Sequence, residues 1–477
     1  MALLPDPLRL LTETATRGAE AALALAGRER VRLAVTGLSR AGKTVFLTSL
    51  VANLVAAGAG RRTLPALEVT GGRLRRARAI PPGVEATPRF DAESHLAALA
   101  ADPPEWPART DDLSTLSLAL TLRRHGVYGQ FLPDREVTLD LLDYPGEWLL
   151  DLPMFAQDFA TWSGETLVRL ATGIRAEPAA EFLAFAKALP ANAPAEDGLA
   201  RRGHALYRRF LLTARDDLGL RFLQPGRFLN PGPAGDAPLL WFFPLPEAAR
   251  GSPLGQLLER RHAAYLRDQR DRFLDPVFRR FDRQVVLVDV LGALHAGREA
   301  FEDTAEALAA ISATLRYGRG WLDLLTGGGI ARVAFAATKA DHVPEVSRDS
   351  LTSLLSDLVD APRRRAELAG APVSVHAVAA IRCTEEATAM HDGRPSPAVR
   401  GILLENGRWA TVDPGIVPAR RPPESFWHAP YFQMPVFRPP TLGRGDPGSG
   451  GLDGQGRGGV PHLGLDTLLS GLLSDAL

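Results

Sequence analysis

The stretch Gly37-Leu38-Ser39-Arg40-Ala41-Gly42-Lys43-Thr44 places two glycines ahead of a lysine and a threonine, between the apolar run VRLAVT (31–36) and the helix-spaced segment KTVFLTSLVANLVAA. That spacing suits a polyphosphate. Gly37 and Gly42 let the backbone curl until the N–H groups from Ser39 through Val45 point inward, and the start of a helix adds its own attraction for anions. Lys43 would then neutralise β- and γ-phosphates, and the Thr44 hydroxyl would ligate Mg2+.

Two further groups lie at the ends of apolar strands. REVTLDLLDYPGEWLLDLP alternates apolar and polar residues and then delivers Asp143, Pro145 and Gly146, a D-x-x-G arrangement. Asp143 would reach the metal through a water, and the Gly146 N–H would bond a γ-phosphate and be released on hydrolysis. IARVAFAATKADHVP ends in Thr338-Lys339-Ala340-Asp341, which resembles the N/T-K-x-D motif of GTPases. Asp341 would accept both N–H donors of guanine's Watson–Crick edge while the Lys339 stem covers the base. Adenine would leave that carboxylate poorly paired, at about 1–3 kcal/mol per unsatisfied group, so GTP is favoured over ATP. Ala380 and Ile381, in APVSVHAVAAIRCTEE, stand where a backbone N–H meets guanine O6, or simply end a strand. His342 either touches the base or ribose or is a surface histidine.

Composition agrees with an ordinary globular chain. Its 477 residues are 45% apolar, and 55 basic residues balance 55 acidic ones, so no bulk field draws a nucleic acid and none is expected as a partner. Arginine supplies 52 of the basic residues; the lysines are Lys43, Lys187 and Lys339, and two of these fall in the motifs above. A single cysteine, Cys383, fits a reducing compartment, and with no membrane span or basic leader read at the N-terminus the expectation is cytoplasmic. Residues 1–30 read as a helical segment that packs on the domain; lying on a membrane surface is the alternative.

Apolar strands near 31–36, 116–122, 136–142, 284–290, 331–337 and 373–379, with helices between most of them, imply an α/β fold with a doubly wound, mainly parallel sheet and ligands at its carboxyl edge. On the strings LAVTGLSRAGKT, WPART, LLDYPGEWLLDLP, FLQPGRF and TKADHVP, spread from residue 33 to 344, the chain resembles the YcjX-like family of bacterial P-loop proteins. That resemblance implies a P-loop NTPase with a Ras-like GTPase core, a cytosolic setting and an association with stress.

The core is expected in two parts, 31–150 and 281–385. Residues 55–112 of the first part, rich in proline and arginine, read as an expanded switch I region. Its end offers Trp106, which stacks on the nucleotide or packs; Arg109, an arginine finger in cis or a surface arginine; and Thr110, the threonine expected to close onto Mg2+, with Thr115 as fallback. Glu147 replaces the glutamine of Ras and would orient water, act as a weak base or cap a turn, so intrinsic hydrolysis is expected to be slow. Residues 151–280 read as a mainly helical insertion placed to transmit nucleotide state to a protein effector. Residues 386–477 read as an extension with an Asn406-Gly407 hairpin that would extend the sheet, a Gly-rich loop and a terminal amphipathic helix. A GTP-hydrolysing switch is favoured over a P-loop kinase or ATPase and over a sensor without turnover.

Overall fold

The computed structural model describes residues 28–67, 73–81, 88–108, 112–123, 134–232, 235–274, 281–314, 317, 329–391, 393–428, 431–442 and 459–475. Seven strands form one sheet: β1 (Arg28–Gly37), β2 (Arg73–Ala79), β3 (Ser114–Arg123), β4 (Arg135–Asp143), β5 (Arg283–Val288), β6 (Arg332–Ala337) and β7 (Val373–Ala377). Their order is β2-β3-β4-β1-β5-β6-β7. The five strands from β4 to β7 pair in parallel, while β2 and β3 run antiparallel at one edge. Every residue of β5 is buried, Arg283 and Gln284 included, and the apolar run from Val285 to Val288 suits a central strand covered on both faces.

Alternate side chains divide the core in two. Leu33, Val35, Val285 and Leu287 face one side, with helix α1 (Lys43–Gly58) and the terminal helix Leu465–Leu473; Val286, Val288, Val333 and Phe335 face the other. Helix α1 is buried over nearly its whole length, so apolar residues fall on all its sides rather than along one stripe, with Thr48, Ser49 and Asn53 buried among them. The stretch 55–112 is not one open connection. It holds the last turn of α1, the edge strand β2, and helix α2 (Ala92–Leu99), whose start is capped by Asp91 accepting from the Ser94 N–H.

Between β4 and β5 a 3-10 segment, Gly146–Ala156, leads into α3 (Phe159–Leu170), α4 (Ala176–Lys187), α5 (Asp197–Asp216) and α6 (Pro253–Gln269). Asp158 and Ser252 cap α3 and α6. The FLQPGRF segment and its continuation are mostly irregular, broken by short helices at Gly226–Leu229 and Pro238–Leu240, yet Phe228, Phe242 and Phe243 are fully buried. These rings join Trp162, Phe182, Tyr207 and Tyr265 in an interior continuous with the core on that side of the sheet.

Strand β5 stops short of residue 290 because Asp289 accepts from the Gly292 N–H and caps helix α7 (Val290–Ala296). Helices α8 (Arg298–Thr314), α9 (Glu345–Leu358) and α10 (Asp360–Leu368) complete that layer. The expected hairpin exists, with Gly407 at φ 68°, but it does not extend the main sheet. Its strands β9 (Arg394–Ile402) and β10 (Trp409–Val412) join β8 (Thr384–His391) in a separate antiparallel sheet. Of the expected N-terminal helix, residues 1–27 lie outside the described residues and 28–30 belong to β1; the Gly-rich stretch 443–458 also lies outside them. No helix among the described residues is long and apolar enough to cross a membrane.

The terminal helix, α11 (Leu465–Leu473), packs on β6 and β7 and buries Leu465, Leu468, Leu469, Leu472 and Leu473 in the core that α1 shares. Leu469→Ala is expected to cost about 2–5 kcal/mol in urea unfolding, the range for a buried leucine that leaves a cavity. A cost near zero would contradict this packing.

Candidate functional site

The parallel strands bring their carboxyl ends to one edge: Gly37 stands opposite Leu287, Ala337 opposite both Val288 and Ala377, and Asp143 ends β4 beside β1. The phosphate-type loop leaves β1 there, turning through Arg40 at φ 65° and Gly42 at φ 82° before α1 begins at Lys43. Lys43 is buried and its Nζ donates to the Gly37 carbonyl at 3.0 Å. Ser39 and Ala41 are buried, Arg40 is exposed, and Thr44 sits half-buried in the first turn of α1.

Gly146 closes directly over this loop. A Cβ on it would lie 2.1 Å from the Gly37 carbonyl oxygen and 2.6 Å from the Lys43 Nζ, so no other residue fits without displacing one of them. Asp143, three residues earlier, is fully buried. Tyr144 turns away and donates to the Thr36 hydroxyl at 3.0 Å, as Gln284 does at 2.9 Å.

At the next strand end, Lys339 takes a left-handed conformation, φ 60°, and its Nζ donates to Asp289 at 2.6 Å. Burial alone would raise the Asp289 carboxyl, but Lys339 beside it, together with the Gly292 N–H and Arg221, holds the pKa below the usual value. Thr338 bonds back to the Val288 carbonyl through its N–H. Asp341 is 2% exposed, and its Oδ2 accepts from the Cys383 N–H at 2.7 Å and the Cys383 thiol at 3.1 Å. Burial and the neighbouring Asp341 push that thiol well above its ordinary pKa.

At this corner the structure places the candidates whose roles the sequence left open. His342 is not a surface residue: it is buried edge-on to Phe437, with centroids 5.0 Å apart, and burial lowers its pKa so that it is neutral. Trp106 packs, its indole N–H donating to the Phe437 carbonyl at 2.8 Å, in a small cluster with Val45, Ala52 and Ile381. The Ile381 side chain thus belongs to the core, and the Ala380 carbonyl accepts from Ser49 of α1. Arg109 and Thr110 lie outside the described residues; Thr115 is inside β3, its backbone paired with Pro88 and Phe90.

The insertion reaches the same edge. Arg40 of the loop pairs with Asp216 at the end of α5, at 3.2 Å. Glu147 is 3% exposed at the start of the 3-10 segment, where its charge acts on Arg215 and Arg221 of the insertion. Behind it, a Cβ on Gly226 would meet the Glu147 carbonyl oxygen at 1.7 Å, and the Trp148 indole donates to the Asn230 carbonyl with Arg227 over its ring. Asp151 gathers the Gly226 N–H, the Tyr265 hydroxyl and the Gln269 amide. Sequence reasoning missed Asp151, Asp289, Cys383 and the Arg215–Arg221 pair. The FLQPGRF string was the one visible hint of the first.

The profile of the YcjX-like family, DUF463, matches residues 31–477. The chain belongs to that family. It is similar to the Ras-like GTPase YcjX of Escherichia coli, 37% identical over 460 residues that cover 94% of this chain and 96% of that protein. The Ras-like GTPase YcjX of Shewanella oneidensis is 36% identical over 469 residues, covering 94% of each chain. The seven-stranded, mainly parallel sheet with helices on both faces is the α/β architecture of P-loop NTPases, here with added helices and a separate antiparallel sheet.

Burial pushes the Asp151 carboxyl from 3.8 up to about 7, against the pull of Tyr265, Gly226 and Arg227. Between about pH 4 and 7 the unfolded chain gives up this proton while the folded chain keeps it, so stability falls as pH rises through that window. Urea midpoints at pH 5 and pH 8 should show this fall in the native chain and a much flatter response in Asp151→Asn. Equal slopes in the two would contradict the assignment.

Proposed function

We propose that the chain binds GTP with Mg2+, hydrolyses it slowly to GDP, and signals the difference through the segment that follows Gly146. The observation that carries this reading is the seating of Gly146 on the Gly37 carbonyl and the Lys43 ammonium. A group arriving between them must move that glycine, which is what a sensor of the terminal phosphate requires.

In this reading the loop amides from Gly37 to Val45 bind the α- and β-phosphates, and Lys43 leaves the Gly37 carbonyl for the β- and γ-phosphates. Thr44 and Asp143 offer the hard oxygen donors that suit Mg2+, with Thr110 as a third; bound there, the ion would screen the phosphate charge. Asp341 reads guanine, its carboxylate aimed by Cys383, while Asp289 anchors Lys339 so that the aliphatic stem lies flat under the base. Ala380 and its neighbours close the base edge.

Slow turnover follows from Glu147. A buried carboxylate whose charge acts on Arg215 and Arg221 is poorly placed to activate water unless the segment that holds it shifts, an observation that also favours a sensor of very low turnover as second reading. Arg109 and Arg221 are the two guanidiniums we assign to charge developing on the γ-phosphate. The insertion, tied to Glu147, Trp148 and Asp151, carries the change to a protein effector. A cytoplasmic setting accords with the free Cys383.

Nucleotide binding measured by calorimetry tests the two halves of the site separately. Lys43→Ala should weaken both GTP and GDP by at least ~100-fold, with GTP hit harder. Asp341→Asn replaces an acceptor with a donor, so it should lose guanine preference by roughly 100-fold or more and gain affinity for xanthosine nucleotides, which present a carbonyl at that edge. If Asp341→Asn kept its preference for guanine, the assignment of Asp341 to the base would be wrong.

A further inference from the structure

At the base-reading corner, Asp341, His342 and Cys383 bring an oxygen, a nitrogen and a sulfur to within 4.8 Å of one another. The Cys383 Sγ lies 3.1 Å from the Asp341 Oδ2 and 3.5 Å from the His342 Nε2, and that Nε2 lies 4.0 Å from the Asp341 Oδ1. Ligand bonds to zinc of about 2.0–2.3 Å at tetrahedral angles set neighbouring ligand atoms roughly 3.3–3.6 Å apart. The sulfur–nitrogen edge already has that length, the sulfur must draw back a few tenths of an ångström from Oδ2, and the imidazole must close on the carboxylate by about 0.7 Å or more, a side-chain rotation.

Chemistry selects the metal class. Mg2+ and Ca2+ take oxygen ligands, whereas a thiolate with an imidazole and one carboxylate suits Zn2+ or Co2+. Asp341 and His342 are buried and Cys383 is partly so, already turned toward them, and the histidine is neutral, as a ligand must be. The far nitrogen of the ring, Nδ1, has no hydrogen-bond partner among the described residues, so nothing there fixes the tautomer against presenting Nε2 to a metal. Phe437, edge-on to the same imidazole, covers the site with apolar surface.

We propose that Asp341, His342 and Cys383 form a three-ligand site for Zn2+, with a fourth position open to water, whose filling takes the base-reading carboxylate away from guanine. Binding converts the Cys383 thiol to a zinc-bound thiolate and releases its proton to solvent; no electron changes hands. The Asp341 Oδ2, now a metal ligand, no longer balances the donors of the base, so zinc and guanine nucleotide compete. This second half rests on the reading of Asp341 given above; the metal site itself does not.

Cobalt titrated into the metal-free full-length chain without nucleotide reads the site directly. One equivalent should give the intense visible bands of tetrahedral Co2+ and a near-ultraviolet thiolate-to-cobalt band; Cys383→Ser should abolish the latter, and His342→Ala should weaken binding about 10–100-fold. Protection of Cys383 from alkylation by one equivalent of Zn2+ in the unsubstituted chain gives the same answer without a variant. In parallel, one equivalent of Zn2+ should weaken GDP binding by about 10-fold or more in the native chain and leave Cys383→Ser unaffected. An octahedral spectrum, or a thiolate band that survives in Cys383→Ser, overturns the site. A tetrahedral site with unchanged GDP affinity overturns its link to the base, and base reading is judged separately from metal-free Asp341→Asn.

Discussion

A buried ammonium held to a main-chain carbonyl beneath a glycine is the constraint on which the rest of the site depends. Taking a lysine charge out of water costs several kcal/mol unless partners replace the solvent, and Lys43 finds one in Gly37, at the end of the strand it belongs beside. That bond ties the lysine back to the first glycine of its loop. A polyphosphate is a better partner than a carbonyl for that charge, and it would enter where Gly146 now sits. Position 146 accordingly has room for a hydrogen and nothing larger.

From Gly146 the chain passes at once into a segment that the insertion grips from three sides. Asp151 is held by groups from two separate parts of the insertion, Trp148 lies under Arg227, and Gly226 is pressed against the Glu147 carbonyl. In the proposed switch, contacts this close would transmit displacement rather than absorb it, because packed interiors move between discrete arrangements. The Arg40–Asp216 pair adds a second link, between the loop's exposed tip and the end of α5. Half-exposed, it contributes little stability, so it can break without harm to the fold.

How much of this could be read beforehand differs residue by residue. Lys43, Asp143, Gly146, Lys339 and Asp341 were legible because each belongs to a short local pattern at the end of an apolar strand, and parallel strands deliver such ends to one edge. Their partners were not. Asp289 looked like the continuation of a strand, and Cys383 is 42 positions from the carboxylate it aims. Strand β2, RLRRARA, carries two leucine- or alanine-sized inward contacts among arginines, too weak an alternation to announce a strand without β3 beside it. The hairpin at Asn406-Gly407 was plain, but only the pairing of β8 with β9 shows that it belongs to a sheet of its own.

The most direct test is a crystal structure with a non-hydrolysable GTP analogue and Mg2+. The Lys43 Nζ should leave the Gly37 carbonyl for the β- and γ-phosphate oxygens, the Gly146 N–H should face the γ-phosphate, and the Asp341 carboxylate should bond the guanine edge. A triphosphate bound elsewhere, or one that enters while Lys43 keeps its bond to Gly37 and Gly146 stays in place, would contradict the account.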